Sequence, residues 1–580
     1  MDQKRLFMAI AASIAILLMF QFMVPSRAPR PASAPTTTAQ APSPANTSAG
    51  APPVPAAGQA AAGPTVPKEV PRVTIAGPRV AGSISLLGAR IDDVVLRNYH
   101  ETIDKSSPLV RVLEPLSDTQ PYYIQFGWSA GPDTKIKLPD NDTLWSGSGE
   151  VTPGKPAVLT WDNGQGQTFE LVIAVDDNFM FSVQQRVRNA GQQPVSLYPW
   201  SRIRRDYTPP TLGYYILHEG LLGVLGGTLK EQKYSAVKSG GEKTGGVSLE
   251  NSGTSGWAGI TDKYWLVALV PDQDVPATAA FRYISEAGTD RYQVDFVTTT
   301  PQLVPAGGDE AVSIRAFAGA KEVHLLQHYE TDAKIPLFSY AVDWGWFWFL
   351  TKPFFYAIDW LYGLLGNFGL AIIVFTIFIK ALFFPLANKS YRSMSKMKLL
   401  APKMAVLKEQ YKDDPAKLQQ QMMALYKVEK VNPASGCLPM FIQIPVFFSL
   451  YKVIFTTIEM RHAPFYGWIH DLSVIDPTNV FNLFGLIPFD PTTISSFLHL
   501  GVWPLIMGAT MYFQQKLNPP PPDPVQAKIF QWMPVMFTFM LANFPAGLVI
   551  YWTCNNLLTI AQQWFIMRQT RLEKPRLART

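Results

Sequence analysis

Cysteine is nearly absent from this chain: 580 residues hold two, Cys437 and Cys554, both inside apolar stretches. Two thiols exclude a disulfide framework and a four-ligand zinc site. As small, soft residues of buried helices they need no further role. Acid is missing where the long apolar runs of the back half lie. No Asp, Glu or His stands in the middle of any of them, and only Glu459 and His499 come near their ends. Proton-coupled transport and intramembrane proteolysis want such groups within the bilayer, so both are disfavoured. An HExxH pattern is also lacking. His324 and His328 stand four apart beside Glu322 and Glu330, without an evident third ligand. The run Gly240-Gly-Glu-Lys-Thr-Gly-Gly246 lacks the spacing of a phosphate loop and reads as a flexible turn. No metal and no cofactor is expected. The net charge of +6 is modest for this length and gives no sign of nucleic-acid binding.

What is present is unevenly placed. The chain is too long for one ordinary core, so two or more domains are expected. After Lys4 and Arg5 an apolar run extends from Leu6 to Val24. About 19 residues at 1.5 Å each reach roughly 29 Å, enough to cross the hydrocarbon layer. A cleaved signal peptide would have a shorter core and small residues before the cut. Here Pro25-Ser26-Arg27 follows directly, so residues 1–24 read as an uncleaved anchor with a cytoplasmic N-terminus. Residues 25–69, rich in Pro, Ala, Thr, Ser and Gly, read as an extended tether.

Over residues 70–333 short alternating or β-branched runs recur, among them Pro121-Tyr-Tyr-Ile-Gln-Phe126, Thr168-Phe-Glu-Leu-Val-Ile-Ala-Val175 and Phe179-Met-Phe-Ser-Val-Gln-Gln-Arg-Val187. Turn formers such as Asp162-Asn163-Gly164 and Ser239-Gly240-Gly241 separate them. This texture predicts a large antiparallel β sandwich on the exported side. Residues 334–366 are aromatic, carry Lys352 and Asp359, and read as an amphipathic helix at the outer interface. Five further spans are expected at about 367–386, 434–458, 495–515, 529–544 and 546–566. The charges agree with six spans and both termini inside. Lys389, Arg392, Lys396, Lys398, Lys403, Lys408, Lys412, Lys417, Lys427 and Lys430 crowd one loop, and Arg568, Arg571, Lys574, Arg576 and Arg579 follow the last span. The loop between Arg461 and Pro491 has Arg461 alone, beside Asp471, Asp476 and Asp490.

Inside the spans ionisable groups are nearly absent, and Lys380 stands out, with Thr376 one turn earlier on the same face. An intramembrane lysine must reach water or a polar cavity, by snorkelling or by facing inward. Gln443 sits in another span, and the last span carries Asn555, Asn556, Thr559, Gln562 and Gln563. Asn556, Thr559 and Gln563 fall on one helical stripe. Such groups either bond helix to helix or, facing Lys380, line a wet groove with one positive charge. On the cytoplasmic side residues 388–431 read as a helical hairpin. Met394, Met397, Leu400, Met404, Leu407 and Tyr411 recur at helical spacing, Asp414-Pro415 starts a second arm with Met422, and Pro402 should bend the first. The methionine side is either the seam between the arms or a loose contact for varied apolar clients, Met423 included.

Specific runs then identify a likeness: Met423-Ala-Leu-Tyr-Lys-Val-Glu-Lys-Val-Asn-Pro433, Gly436-Cys-Leu-Pro-Met440, Ala463-Pro-Phe465, Trp468-Ile-His-Asp-Leu472 and Phe544-Pro-Ala-Gly-Leu548. With them, residues 344–568 resemble the YidC family of membrane protein insertases, Gram-negative type, and the front of the chain matches in layout. The resemblance implies a six-helix membrane bundle whose five-helix core spans 367–568, a basic tail at 569–580, and a periplasmic β-supersandwich similar to sugar-mutarotase folds. It implies a non-enzymatic insertase and chaperone of the inner membrane, with nascent membrane proteins as clients. The SecYEG translocon with its accessory Sec components, ribosomes, the signal-recognition machinery and the lipid bilayer are the implied partners. It also implies a hydrophilic groove in which Lys380 replaces the usual arginine, with Thr376 and Trp552 at client-contacting positions. A solute transporter or channel, or a membrane-anchored periplasmic sugar-binding protein, are the competing classes. Substrate flux in liposomes, or loss of function on deleting residues 70–329, would reveal them.

Overall fold

The computed structural model describes residues 70–577 apart from 132–133, 214–215, 413, 430, 432–437, 496–497 and 519–523. The expected anchor 1–24, the tether 25–69 and Cys437 lie outside the described residues. The chain divides into two compact units at Asp343/Trp344.

The first unit is all-β in its core. An eleven-stranded sheet follows the order Val247–Gly253, Ala277–Glu286, Thr289–Thr298, Val195–Arg205, Tyr122–Ala130, Arg90–His100, Val80–Ser85, Arg72–Ala76 and Glu150–Val151, with Gln302–Val304 and Leu109–Leu113 beside this path. An eight-stranded sheet runs Thr228–Lys233, Gly220–Leu225, Gly256–Thr261, Trp265–Pro271, Asp309–Ala320, Met180–Asn189, Gln167–Val175 and Ala157–Asp162. Pairing is antiparallel throughout except between Arg72–Ala76 and Glu150–Val151. Asp162-Asn163-Gly164 makes the hairpin turn that its residue types predict: Gly164 takes φ 72°, and the Asp162 carboxylate accepts the Gly164 N–H at 2.7 Å.

Alternation buries one face of each sheet against the other. Trp128 of the larger sheet meets Phe169 of the smaller edge to face, centroids 5.1 Å apart, and Gln185 of the smaller sheet donates to the Gly127 carbonyl of the larger at 2.8 Å. The rings of Phe179, Phe317, Tyr329 and Phe338 form a second aromatic cluster, Phe317 lying 5.5 to 6.1 Å from its three neighbours. It fastens α2 (Val323–Thr331) to the smaller sheet. Glu322, just ahead of that helix, accepts hydrogen bonds from Arg79 and Tyr99, and His328 faces Asp332 at 2.8 Å. Glu322 is thus ion-paired with Arg79 across the sequence, and His328 contacts Asp332 one turn on.

One local expectation is overturned. The glycine run near 240 is no flexible turn: Gly240 and Gly241 lie inside α1 (Tyr234–Thr244), and Gly245 ends that helix at φ 72°. The helix lies so close to the sheet that a Cβ on Gly240 would stand 2.4 Å from Ser248 Oγ, and one on Gly241 2.7 Å from Tyr283 Cβ. Close approach, not mobility, requires glycine there.

The second unit is helical: α3 (Trp348–Leu365), α4 (Phe368–Leu382), α5 (Phe384–Gln410), α6 (Pro415–Val428), α7 (Leu438–Thr456), α8 (Val502–Leu517), α9 (Pro524–Leu541) and α10 (Ala546–Leu577). Among the described residues no single helix is long and apolar enough to cross a membrane. Residues 368–382 and 384–400 pass that test only as a pair, bent by 67°. The bend follows from Pro385, which cannot continue the hydrogen-bond ladder of α4 but suits the first turn of a new helix. α8 begins at Val502, inside the expected span 495–515, because a remote loop caps it. Asp476 accepts the Trp503 N–H at 2.9 Å and Thr478 the Val502 N–H at 3.0 Å. Its 16 residues reach only about 24 Å. α5 runs through Pro402 as one continuous helix. Asp414 caps α6 by accepting the Lys417 N–H at 3.0 Å, with Pro415 in the first turn, as its residue types predict.

Two measurements test this account of the β unit. Phe317→Ala should lower its unfolding free energy by about 3–5 kcal/mol, read as an earlier β-unit transition in thermal or denaturant unfolding of the full chain. His218 is half-buried, faces the Leu221 carbonyl at 3.1 Å, and is held down to about 4 by burial. The unfolded chain therefore takes up a proton near pH 6.5 that the folded unit refuses until about pH 4. Its contribution is complete above pH 6.5 and is lost as pH falls. Between pH 7 and 5 the wild type should lose on the order of 2 kcal/mol more than His218→Gln, read as the difference in unfolding midpoint at the two pH values.

Candidate functional site

α10 is the centre of the helical unit, packing on α4, α5, α7 and α8. Its polar residues are where these helices meet, and buried polar groups there must find partners. The Lys380 ammonium on α4 donates to Thr559 Oγ1 on α10 at 2.8 Å. Thr559 Oγ1 in turn donates to the Asn555 carbonyl one turn back at 2.7 Å. The hydroxyl thus accepts the charge on one side and stays satisfied on the other. Among the described residues no carboxylate pairs with Lys380.

The rest of the α10 stripe turns elsewhere. Asn556 donates to Thr510 Oγ1 on α8 at 3.2 Å, and Gln563 donates to Asn518 Oδ1, just past the end of α8, at 2.9 Å. Asn555 is buried, and its backbone carbonyl accepts the Thr559 hydroxyl. Thr376 is also buried, its hydroxyl bonded to the Ile372 carbonyl of its own helix at 2.7 Å. Gln443 on α7 donates to the Tyr551 hydroxyl on α10. Trp552 is half-buried, its ring 4.7 Å from Phe447 and 6.4 Å from Phe537, beside the cluster of Met507, Leu541 and Val549. The structure therefore brings Lys380 and Thr559 together, with the Asn555 backbone carbonyl behind Thr559, and uses Asn556 and Gln563 on the α8–α10 seam.

Tyr551, Thr510 and Asn518 are polar partners that sequence reasoning missed. Tyr551 had a signal, since a tyrosine inside an apolar run needs a partner for its hydroxyl. Thr510 and Asn518 had none, because their partners lie 46 and 45 residues away.

The hairpin is a pair of arms tied at its base. Lys403 on α5 bridges Glu429, just past α6, at 2.7 Å, and the Tyr426 hydroxyl contacts Met404 Sδ at 3.6 Å. Met404 and Met422 are half-buried, as is Met397, while Met423 is exposed. Met394 lines a small cavity with Tyr391, Ser395, Leu517 and Gln563, against the helical core.

Two family models match the chain: 60Kd inner membrane protein over residues 360–574, and YidC periplasmic domain over residues 72–357. Among curated proteins it is 59% identical to the membrane protein insertase YidC of Granulibacter bethesdensis, over 100% of both chains. It is 54% identical to the insertase YidC of Acidiphilium cryptum, covering 86% of this chain and 85% of that one. A solved structure described as an active YidC insertase with its first transmembrane domain resolved is 16% identical. The match covers 85% of this chain and 94% of that one at a TM-score of 0.34. A galactose mutarotase related enzyme from Lactobacillus acidophilus is 8% identical, covering 43% of this chain and 97% of that one at a TM-score of 0.29.

The packing of α8 on α9 has a sharp test. A Cβ on Gly508 would stand 2.0 Å from Thr538 Oγ1, which is itself held by the Pro534 carbonyl at 2.8 Å. Gly508→Ala should destabilise the helical unit by about 1–3 kcal/mol, measured as a lower melting temperature in detergent, with Thr538→Ala restoring part of the loss.

Proposed function

The chain belongs to the YidC family of membrane protein insertases, and we propose that it receives a client's polar tail or loop beside Lys380 while the apolar segment passes along α4 and α10 into lipid. It is an inner-membrane protein with a periplasmic β domain, and its clients are nascent membrane proteins. The observation that carries the mechanism is the contact of Lys380 with Thr559. It places one cationic group among apolar helices, stabilised by a hydroxyl and by no acid among the described residues.

Such an ammonium remains available to an anionic tail. Opposite charges attract more strongly where water is scarce, so acidic tails gain most. Thr376, Gln443, Asn555 and Thr559 would add dipoles, while Asn556 and Gln563 hold α10 to α8. Trp552, wedged between Phe447 and Phe537, would border the path of the apolar segment. Hydrophobic partitioning supplies the drive, so no nucleotide is needed.

In this reading the anchor and five core helices span the membrane with both termini in the cytoplasm. Short helices such as α8 are accommodated by local thinning of the bilayer. The basic hairpin, with Met423 exposed on α6, faces headgroups and emerging clients on the cytoplasmic side. Its lysines suit ribosomal RNA as well, and work alongside the SecYEG translocon, its accessory components and the signal-recognition machinery fits this placement.

The test is insertion of a small client into liposomes carrying the purified protein, without nucleotide. Lys380→Ala should lower insertion of a client with an acidic tail about tenfold, equivalent to about 1.4 kcal/mol, and Lys380→Arg should keep it. Equal insertion by all three proteins would mean that the charge plays no part.

A further inference from the structure

The loop between α7 and α8 carries an exposed apolar knob that insertion beside Lys380 does not use. From Pro477 to Phe489 there is no charged residue, and Asp476 and Asp490 bound the stretch. Phe481, Leu483, Phe484, Leu486, Ile487 and Phe489 are all exposed, Leu486 to 83%. In water such a patch is a standing liability and marks a surface made for an apolar environment.

The backbone of the knob points the same way. Leu483 and Phe484 adopt φ of 50° and 60°, a region that L residues enter only when their surroundings hold them there. What holds them is a closed set of internal hydrogen bonds. The Phe484 N–H donates to the Asn479 carbonyl at 2.8 Å, Gly485 N–H to Asn482 Oδ1 at 3.0 Å and Ile487 N–H to the Asn482 carbonyl at 3.1 Å. The Phe481 N–H is accepted by Asn479 Oδ1 at 3.1 Å. These N–H groups thus have their partners within the loop, while the apolar side chains stand outside it. Paired N–H groups with apolar side chains outside suit interfacial depth, where the remaining carbonyls still reach water.

The base is rigid and its side of the unit is defined. Asp476 accepts from Trp468 Nε1 at 3.1 Å and caps α8, while His499 Nε2 meets the Asp476 carbonyl at 2.9 Å. The neighbouring 463–469 turn is tied to the start of α4, where Asn367 donates to the Pro464 carbonyl at 3.2 Å. The basic hairpin leaves from the other end of α4. On that same outer end Tyr362 of α3 stacks on Phe368 at the start of α4, and α3 exposes Trp360 beside it, a residue type that favours a membrane interface.

We propose that residues 480–489 form a wedge that inserts into the outer leaflet at interfacial depth, seating the outer ends of α7 and α8 in lipid. The proposal rests on the helical unit lying in a bilayer, but not on the role of Lys380.

The test uses the full chain in liposomes of zwitterionic and anionic phospholipid, with Cys437→Ser and Cys554→Ser and one new thiol labelled with an environment-sensitive fluorophore. Leu486→Cys is compared with Phe378→Cys, exposed on α4, and with Ser106→Cys, exposed in the β unit. Leu486 is so exposed that cysteine there disturbs no packing. A nitroxide on the upper acyl chain should quench the Leu486 probe severalfold more than the Ser106 probe, and aqueous iodide severalfold less. Quenching by iodide as at Ser106, with the Phe378 probe still quenched by lipid, would overturn the wedge alone. Shielding from both quenchers would overturn it in favour of a protein cover. If the Phe378 probe also escapes lipid quenching, the placement in the bilayer fails and the wedge fails with it.

Discussion

Removing a polar group from water without giving it a partner costs more than most single contacts return, and both units are organised around that constraint. It is clearest at Lys380, whose ammonium sits among apolar helices and is met by the Thr559 hydroxyl. Thr559 can do this because its own proton is occupied by the Asn555 carbonyl. The same rule places Asn556 on Thr510, Gln563 on Asn518 and Gln443 on Tyr551. α10 therefore packs against its neighbours through matched polar pairs as well as through apolar surface.

In the β unit the constraint appears as sheet pairing and as side chains that reach between sheets. Gln185 bonds a backbone carbonyl of the opposite sheet, and Arg205 forms a two-pronged pair with Asp262 at 2.7 and 2.8 Å. The aromatic clusters around Trp128 and Phe317 fill the space left between such bonds. In the helical unit the loop at 480–489 pairs N–H groups within itself and exposes a run of apolar side chains.

Much of the architecture was legible because period and punctuation are local. Alternation marked the strands around Tyr122–Ala130, Gln167–Val175 and Met180–Asn189, and Asp414-Pro415 marked the start of α6. Misreadings arose where a distant residue decided. Gly240-Gly241 signals a turn by composition, yet sits in a helix pressed against Ser248 and Tyr283. The start of α8 depends on Asp476 and Thr478, more than twenty residues upstream of the N–H groups that they cap. The polar stripe of α10 was visible, but its division between α4 and α8 was not, because a helical wheel shows which residues share a face and not what stands opposite.

The sequence by itself determined the two-part plan, the alternation of the main strands, the start of α6, the distribution of lysine and arginine, and the place of Lys380 in an apolar run, since each follows from residue type and near neighbours along the chain. Only the tertiary structure decided that Thr559 is the group Lys380 meets, that Met394 and Met404 pack inward while Met423 stays exposed, and that the loop at 480–489 holds its shape with apolar residues outside. Those are choices among partners tens to hundreds of residues away. Such choices are settled by which groups packing brings within hydrogen-bond reach, and no local pattern records them.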